Sequence, residues 1–571
     1  GDKNVAVGHN ALTSNTEGYA NTSIGTESLE SNTTGSYNVA VGYEALEDNT
    51  TGSGNSALGF DALYLNTTGG SNTAIGNSAL LSNTTGGQNT ALGRQALTSN
   101  TTASNNIAVG YQSLKGNTTG DDNVAVGRDA LTANTTGRNN IAVGTDALTK
   151  NTTGVDNVAI GDSAMADNTT GSNNTAIGNW ALDTNTTGWN NVAVGLDALS
   201  SNTTASYNTT VGFQSMGTNS TGDKNTAMGY QSFALNTTGA NNTAVGYWAL
   251  VNNTTGRKNI AIGNGALDAP DTEDHNLAIG FDALGGAIAG GEYNVAIGNY
   301  SLDANTTGDE NVAVGYGSLG ANTTGGGNTA IGSEGLKVNT TGDYNTASGS
   351  WALHSNTTGD GNTAIGSEAL KANTTGVSNV ASGAEALKAN TTGNYNTATG
   401  LRSLFANTTG SNNTAAGIYS LFANTEGEKN TATGYSLYAN TTGDDNIGMG
   451  YNALAANTTG TRNIAIGNGS LVLPDTENDN LAIGHMALGA SIAGGEFNLS
   501  IGNYSMDALT SGDGNTGVGY NAMTALTTGS GNVSLGRASG VTITTGSNNT
   551  VIGKGADVSA SGAANQIVIG K

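Results

Sequence analysis

The chain has 571 residues, 88 of them Gly, with 2 Pro, no Cys, 11% charged residues and a formal net charge of −25. Its 18 scattered Lys and Arg are too few and too dispersed to neutralise a phosphate backbone, so nucleic acid is not an expected partner, and anionic lipid surfaces repel the same acidity. The lack of Cys removes disulfides and thiol catalysis, and no run approaches the roughly 18 apolar residues that insert in a membrane as a helix.

Disorder would suit the Gly, Ser and Asn content, but disordered chains do not place Ile, Val and Leu at fixed intervals. Here the interval is 17. The Gly closing each Asn-x-Ala-x-Gly motif recurs at Gly8, Gly25, Gly42, Gly59 and Gly76, then by 17 to Gly280. An 18-residue step leads to Gly298, a 16-residue step to Gly450, and a second 18-residue step to Gly502, before the series ends at Gly570. The markers define 34 coils.

One coil reads N-x-A-I/V-G-x-x-A/S-L-x-x-N-T-T-G-x-x, positions 1 to 17. Positions 1 to 5 alternate like a short strand, and positions 7 to 10 are expected to form a second. Gly at 5 and 15, with Asn at 1 and 12, suits tight corners and positive φ. Seventeen residues cannot bury a core alone or hold two helices, and Gly, Asn and Thr are poor helix formers. The expected fold is all-β: a single continuous parallel β-solenoid, or β-roll, over 1–571, with coils about 4.8 Å apart and a rod roughly 160 Å long.

Two apolar rows are expected inside. One is position 4, as in Val41, Leu58 and Ile75, and the other is position 9, as in Leu80. Alternation then puts the Ala of position 3 on the opposite face of the strand. A strand apolar on both faces suggests lateral self-association of chains.

"NTAIGNSAL" (72–80) and "NVAVGYEAL" (38–46) resemble the head repeats of YadA-like trimeric autotransporter adhesins, and similar repeats in phage and bacterial fibre proteins. The coil here is longer than is typical of that family. The resemblance implies a left-handed β-roll, three chains side by side, and an extracellular, cell-surface or virion fibre or adhesive head.

Asn-Thr-Thr has three readings. It is a sequon, so Asn49, Asn66 and Asn83 would carry sugar if exposed in a glycosylating organism. Its Thr pair would form ranks able to bind ice or another ordered surface. Alternatively the Asn turns inward as a ladder: Asn49, Asn66, Asn83, Asn100 and their equivalents. The last coils favour the ladder, because position 12 becomes Leu509, Leu526, Ile543 and Ala560 with the period unbroken. An inward site can accept such a change, whereas an exposed glycosylated one would not.

Both prolines, Pro270 and Pro474, also fall at position 12, 204 residues apart, within near-identical irregular segments at 257–298 and 461–502. These mark a duplicated block of 12 coils. Their acidic residues, Asp271, Glu273, Asp274 and Asp475, Glu477, Asp479, are weak Ca²⁺ candidates without an EF-hand pattern; a solvated loop is the simpler expectation. His9, His275, His354 and His485 lie in different coils with no repeating carboxylate or Ser partner, so spacing assembles neither a metal triad nor a hydrolytic one. Trp180, Trp248 and Trp351 share position 7, and Tyr43, Tyr111, Tyr230, Tyr247 and Tyr316 share position 6, where an aromatic stripe would serve packing or carbohydrate binding.

The chain starts and stops mid-coil, and coils 503–571 are specialised, so a continuation or an end-to-end junction is expected. The sequence therefore reads as a structural extracellular fibre that extends and presents a surface. The alternatives are an adhesin or tail-fibre module recognising surface glycans and, less favoured, an ice binder. An enzyme is not expected, and no cofactor is implied.

Overall fold

The computed structural model describes residues 2–269, 272–286, 290–473, 475–490 and 492–570. It is a parallel β-solenoid with a 17-residue period and, among the described residues, no helix. The chain divides into two compact units, Gly1–Ala289 and Gly290–Lys571, and the division falls in the first irregular segment. Unit 1 carries seventeen three-residue strands, β1 (Val5–Val7) to β17 (Leu277–Ile279); unit 2 carries β18 (Val295–Ile297) to β34 (Ile567–Ile569).

Within each unit every strand pairs in parallel with the next, one coil on. Thr73 lies opposite Thr90, and Ile75 opposite Leu92. The 16-residue step shifts this to Thr431 opposite Ile447, and the second 18-residue step to Leu481 opposite Leu499, so registry survives both changes in coil length.

The strand parity was legible, but its inside and outside are exchanged. Ala74 is fully buried, whereas Ile75 is 36% and Leu58 49% exposed, and Val41 is only partly covered. The reason is width. The interior of a coil is filled by Ala74, Ala79, Leu80, Asn72 and Asn83, all fully buried, which leaves room opposite the turn for a small side chain, a methyl in most coils and Thr210 or Val551 at the largest. Leu80 is buried as expected. Where position 3 becomes hydroxylic, position 8 supplies a partner: Ser23 with Ser28 at 2.5 Å, Ser534 with Ser539 at 2.5 Å, and Thr210 with Ser215. A buried hydroxyl is thereby never introduced alone.

The expected second strand is a turn. Position 7 and position 9 both take left-handed backbone, as in Ser78 (φ 54°) and Leu80 (φ 54°), which prevents an extended segment. Placing Leu there costs about 1–2 kcal/mol, and full burial of its side chain returns about 1.5–3 kcal/mol. Burial outweighs the strain, so the position is Leu, Met or Phe in nearly every coil, with Gly540 and Asp557 the exceptions near the C-terminal end.

The invariant glycine of position 5 and the recurrent one of position 15 serve different needs. Gly76 has φ 134°, and a Cβ there would collide with the backbone of Gly93. Gly86 does not have positive φ; its Cβ would meet the carbonyl oxygen of Ala103 in the next coil. Nor do the Asn rows use positive φ, contrary to expectation: neither Asn72 nor Asn83 adopts it.

Candidate functional site

The Asn-Thr-Thr corner is structural chemistry. Asn83 donates to Asn66 Oδ1 at 2.7 Å and to its own coil's Gly86 carbonyl at 2.9 Å. Asn66 does the same toward Asn49 at 2.7 Å, and Asn100 toward Asn83 at 2.8 Å. Asn49, Asn66, Asn83 and Asn100 are all fully buried, so the sequon nitrogens are spent inside the corner. A second ladder, missed in the sequence, runs along position 1. Asn72 Nδ2 donates to Gly86 O at 2.9 Å, while its Oδ1 accepts the backbone N–H of Asn89 at 3.0 Å. Gly86 O thus takes both amides and closes its coil.

Thr of position 13 is also engaged, as in Thr84 Oγ1 to Thr101 O at 3.0 Å, leaving only the position-14 row, such as Thr85, exposed. A surface of two hydroxyl ranks is therefore not formed by the Thr pair.

The ladder breaks where the prolines fall. Asn253 Oδ1 and Asn457 Oδ1 are buried without a hydrogen-bond partner, because the next rung in each case is proline and carries no amide. Pro270, Pro474 and Asp271 lie outside the described residues. The acidic candidates beside them are directed elsewhere. The buried Glu477 carboxylate accepts from the backbone N–H of Asp475 (2.8 Å), Thr476 (3.1 Å) and Gly494 (2.8 Å). Glu273, also buried, accepts from Thr272 N at 3.0 Å, and Asp274 from Arg257 N at 2.6 Å. Asp475 accepts from the Thr458 hydroxyl, and Asp479 forms a two-armed pair with Arg462 at 2.6 and 2.8 Å. These carboxylates tie down backbone and a neighbouring cation instead of converging as ligands.

A convergent acidic group lies elsewhere, on the outer turn of the first coils. Glu27 and Glu44 at position 7 and Glu47 at position 10 bring one oxygen each within 4.8 Å of one another, a span that a divalent cation with oxygen ligands could bridge. Burial, reinforced by Glu44, Asp48, Glu27 and Glu30, raises the Glu47 carboxyl to about 7.

The same two rows in unit 2 carry cations and rings. Lys337 meets Glu334 at 2.9 Å; Lys388 meets Glu368 at 2.6 Å and Glu385 at 3.3 Å; Arg402 meets Glu385 at 2.5 Å. Lys371 sits 4.4 Å over the Trp351 ring, and that ring stacks on His354 at 4.6 Å. The strip then becomes aromatic: Phe405, Phe422 and Tyr438 stack in series at 5.2 and 5.1 Å. Stacked rings at coil spacing cover one another's faces and offer edges to solvent. Such a ladder is poor as a sugar platform and effective as an axial seam. Phe213, Tyr230 and Tyr247 form another in unit 1, at 5.2 Å per step.

His354 has local carboxylate and Ser contacts that the repeat does not reproduce in other coils. Its Nε2 lies 3.5 Å from Glu334 and its Nδ1 3.3 Å from Ser355 Oγ. Both contacts are long, and Glu334 is shared with Lys337, so the group works as part of the ionic seam. Burial lowers the His354 pKa, and the contact with Lys337 lowers that of Glu334.

The outward face of the strands carries positions 2 and 4, and position 2 varies between Thr or Ser and Val, Ile or Leu. In unit 1 all seventeen position-4 residues, Val7 to Ile279, are apolar. In unit 2 the row is interrupted by Ser348, Ser382, Thr399 and Thr433.

The fold and these surfaces define a repeat protein, a β-solenoid built on two asparagine ladders. No protein-family model matches the chain, and no curated protein matches it significantly.

Proposed function

We propose that the protein is a structural fibre subunit, extracellular or on a cell or virion surface, whose unit 1 packs laterally through its outward strand face against a second copy of the chain. The observation that supports this reading is the unbroken apolar position-4 row of unit 1. Isolated soluble proteins do not ordinarily expose apolar rows of such extent, and a row of Val, Ile, Leu and Met, flanked by a row of Thr and Val on a regular parallel sheet, suits another sheet of the same pitch. The interrupted row in unit 2 serves as the internal contrast. The ladders supply the stiffness a fibre needs, since in most coils two Asn side chains bond to the neighbouring coils.

The test is the mass of the native particle by light scattering for the wild type, for Val143→Glu with Ile160→Lys, and for Thr399→Glu with Thr433→Lys. The proposal expects an oligomer that the unit 1 pair dissociates and the unit 2 pair leaves intact. A monomeric wild type, or an oligomer indifferent to the unit 1 pair, contradicts it.

A further inference from the structure

Three successive coils of unit 1 carry a run of small side chains at position 10: Ser200, Gly217 and Ala234. Their lack of bulk opens a groove of about 410 Å³ along the outer turn. One wall is a row of polar side chains at position 7, Asp197, Gln214 and Gln231. The row is tied end to end. Trp248 Nε1 donates to Gln231 Oε1 at 2.9 Å, Gln231 Nε2 donates to Gln214 Oε1 at 3.0 Å, and Gln214 Nε2 faces Asp197 Oδ2 at 3.5 Å. These contacts orient each amide and leave it a further N–H and a further lone pair. Successive amides sit one coil apart, about 4.8 Å.

We infer that this groove binds a neutral, linear oligosaccharide laid along the stacking direction, one sugar unit per coil. The volume falls in the range of about 300–1,000 Å³ found for small-molecule sites. Sugar hydroxyls both donate and accept, which matches a row presenting amide hydrogens, amide oxygens and a carboxylate together. No Lys, Arg or His lines the groove, and Asp197 stands at one end, so anionic ligands are disfavoured. A peptide would need an open sheet edge or apolar pockets, and the groove has neither, Leu235 being its one large apolar side chain. This inference is independent of lateral packing, which uses the strand face.

Gly217→Tyr fills the groove. It is compatible with the fold, because the nearest atoms to a Cβ there are backbone atoms at ordinary contact distance, 3.5 Å or more, and Tyr64 and Tyr438 already occupy the same coil position. The experiment is calorimetric titration of the full chain with linear hexasaccharides of glucose, mannose and N-acetylglucosamine, with hexagalacturonate and an unstructured hexapeptide pool as the other arms. The expected result is binding of at least one neutral hexasaccharide, weakened at least tenfold by Gly217→Tyr and by Gln214→Leu, and unchanged by Gly320→Tyr in unit 2. Failure of all three neutral sugars to bind, binding of the acidic sugar or the peptides alone, or binding indifferent to both groove variants overturns the inference.

Discussion

Asn83 joins its coil to the preceding one through the 2.7 Å bond to Asn66 Oδ1, and its second amide hydrogen closes its own coil on Gly86. One side chain therefore serves both the axial and the circumferential bonding of the solenoid. Asn83→Ala leaves Asn66 Oδ1 and Asn100 Nδ2 buried without that partner. With about 1–3 kcal/mol lost for each buried group left unpaired, local opening of coils around 66–100 becomes easier by about 2–4 kcal/mol. Amide hydrogen exchange of those coils measures it; protection equal to wild type would deny the ladder its role.

Gly76→Ala and Gly86→Ala differ in outcome although both glycines recur throughout. At Gly76 the residue must take φ 134° and press on Gly93, so loss exceeds about 3 kcal/mol. At Gly86 only the close approach opposes a methyl, and the chain itself carries Ala103 and Ala205 at that position. The rungs after them are stretched, to 3.0 Å between Asn117 and Asn100 and 3.2 Å between Asn219 and Asn202. Gly86→Ala is expected to cost about 1 kcal/mol in urea titrations monitored by circular dichroism.

The inner and outer faces show where sequence reasoning stops. The period, the parallel stacking and the Leu80 row follow from spacing alone, and the inward Asn83 follows from its replacement by Leu509, Leu526 and Ile543, all three of which are buried. Ile75 faces outward although it is more hydrophobic than Ala74, because the interior of the coil has room for a small side chain there. Position 4 accepts Ile, Leu and Met as well as Ser348 and Thr399, whereas position 3 holds Ala in most coils and nothing larger than Val, and freedom in size is the mark of exposure. The Asn72 ladder went unread because Asn at a corner also fits a turn, and spacing does not separate the two roles. The groove at Gly217 and the seam from Glu334 to Tyr438 depend on which unlike residues fall at positions 7 and 10 of adjacent coils; a consensus repeat averages that information away.

Glu47 makes the first coils pH-sensitive. Its carboxyl is raised in the folded state, so the stability it contributes is fully present below its unfolded value and is lost as pH rises through about 7. After allowance for solvent screening the loss is about 1 kcal/mol. Exchange rates in coils 2 to 4 should rise between pH 5 and pH 8 beyond the intrinsic pH dependence, and Glu47→Gln should abolish the excess.

Glu477 secures the coil that carries Pro474 by accepting three backbone N–H groups. Glu477→Gln replaces one acceptor oxygen with a donor and removes the charge, at a cost of about 2 kcal/mol. Limited proteolysis should cut the variant within 470–496 well before the wild type; equal cleavage rates would assign Glu477 no such role.

The central claim is that on each strand the small position-3 side chain faces the interior and the position-4 side chain faces outward. The chain has no native Cys, so thiol labelling of single-cysteine variants reads orientation directly. Ala398 and Thr399 are adjacent in unit 2, the first fully buried and the second exposed. The predicted result is that Thr399→Cys reacts at the rate of a free thiol while Ala398→Cys is protected until the protein unfolds. Protection of Thr399→Cys with rapid labelling of Ala398→Cys would contradict the account.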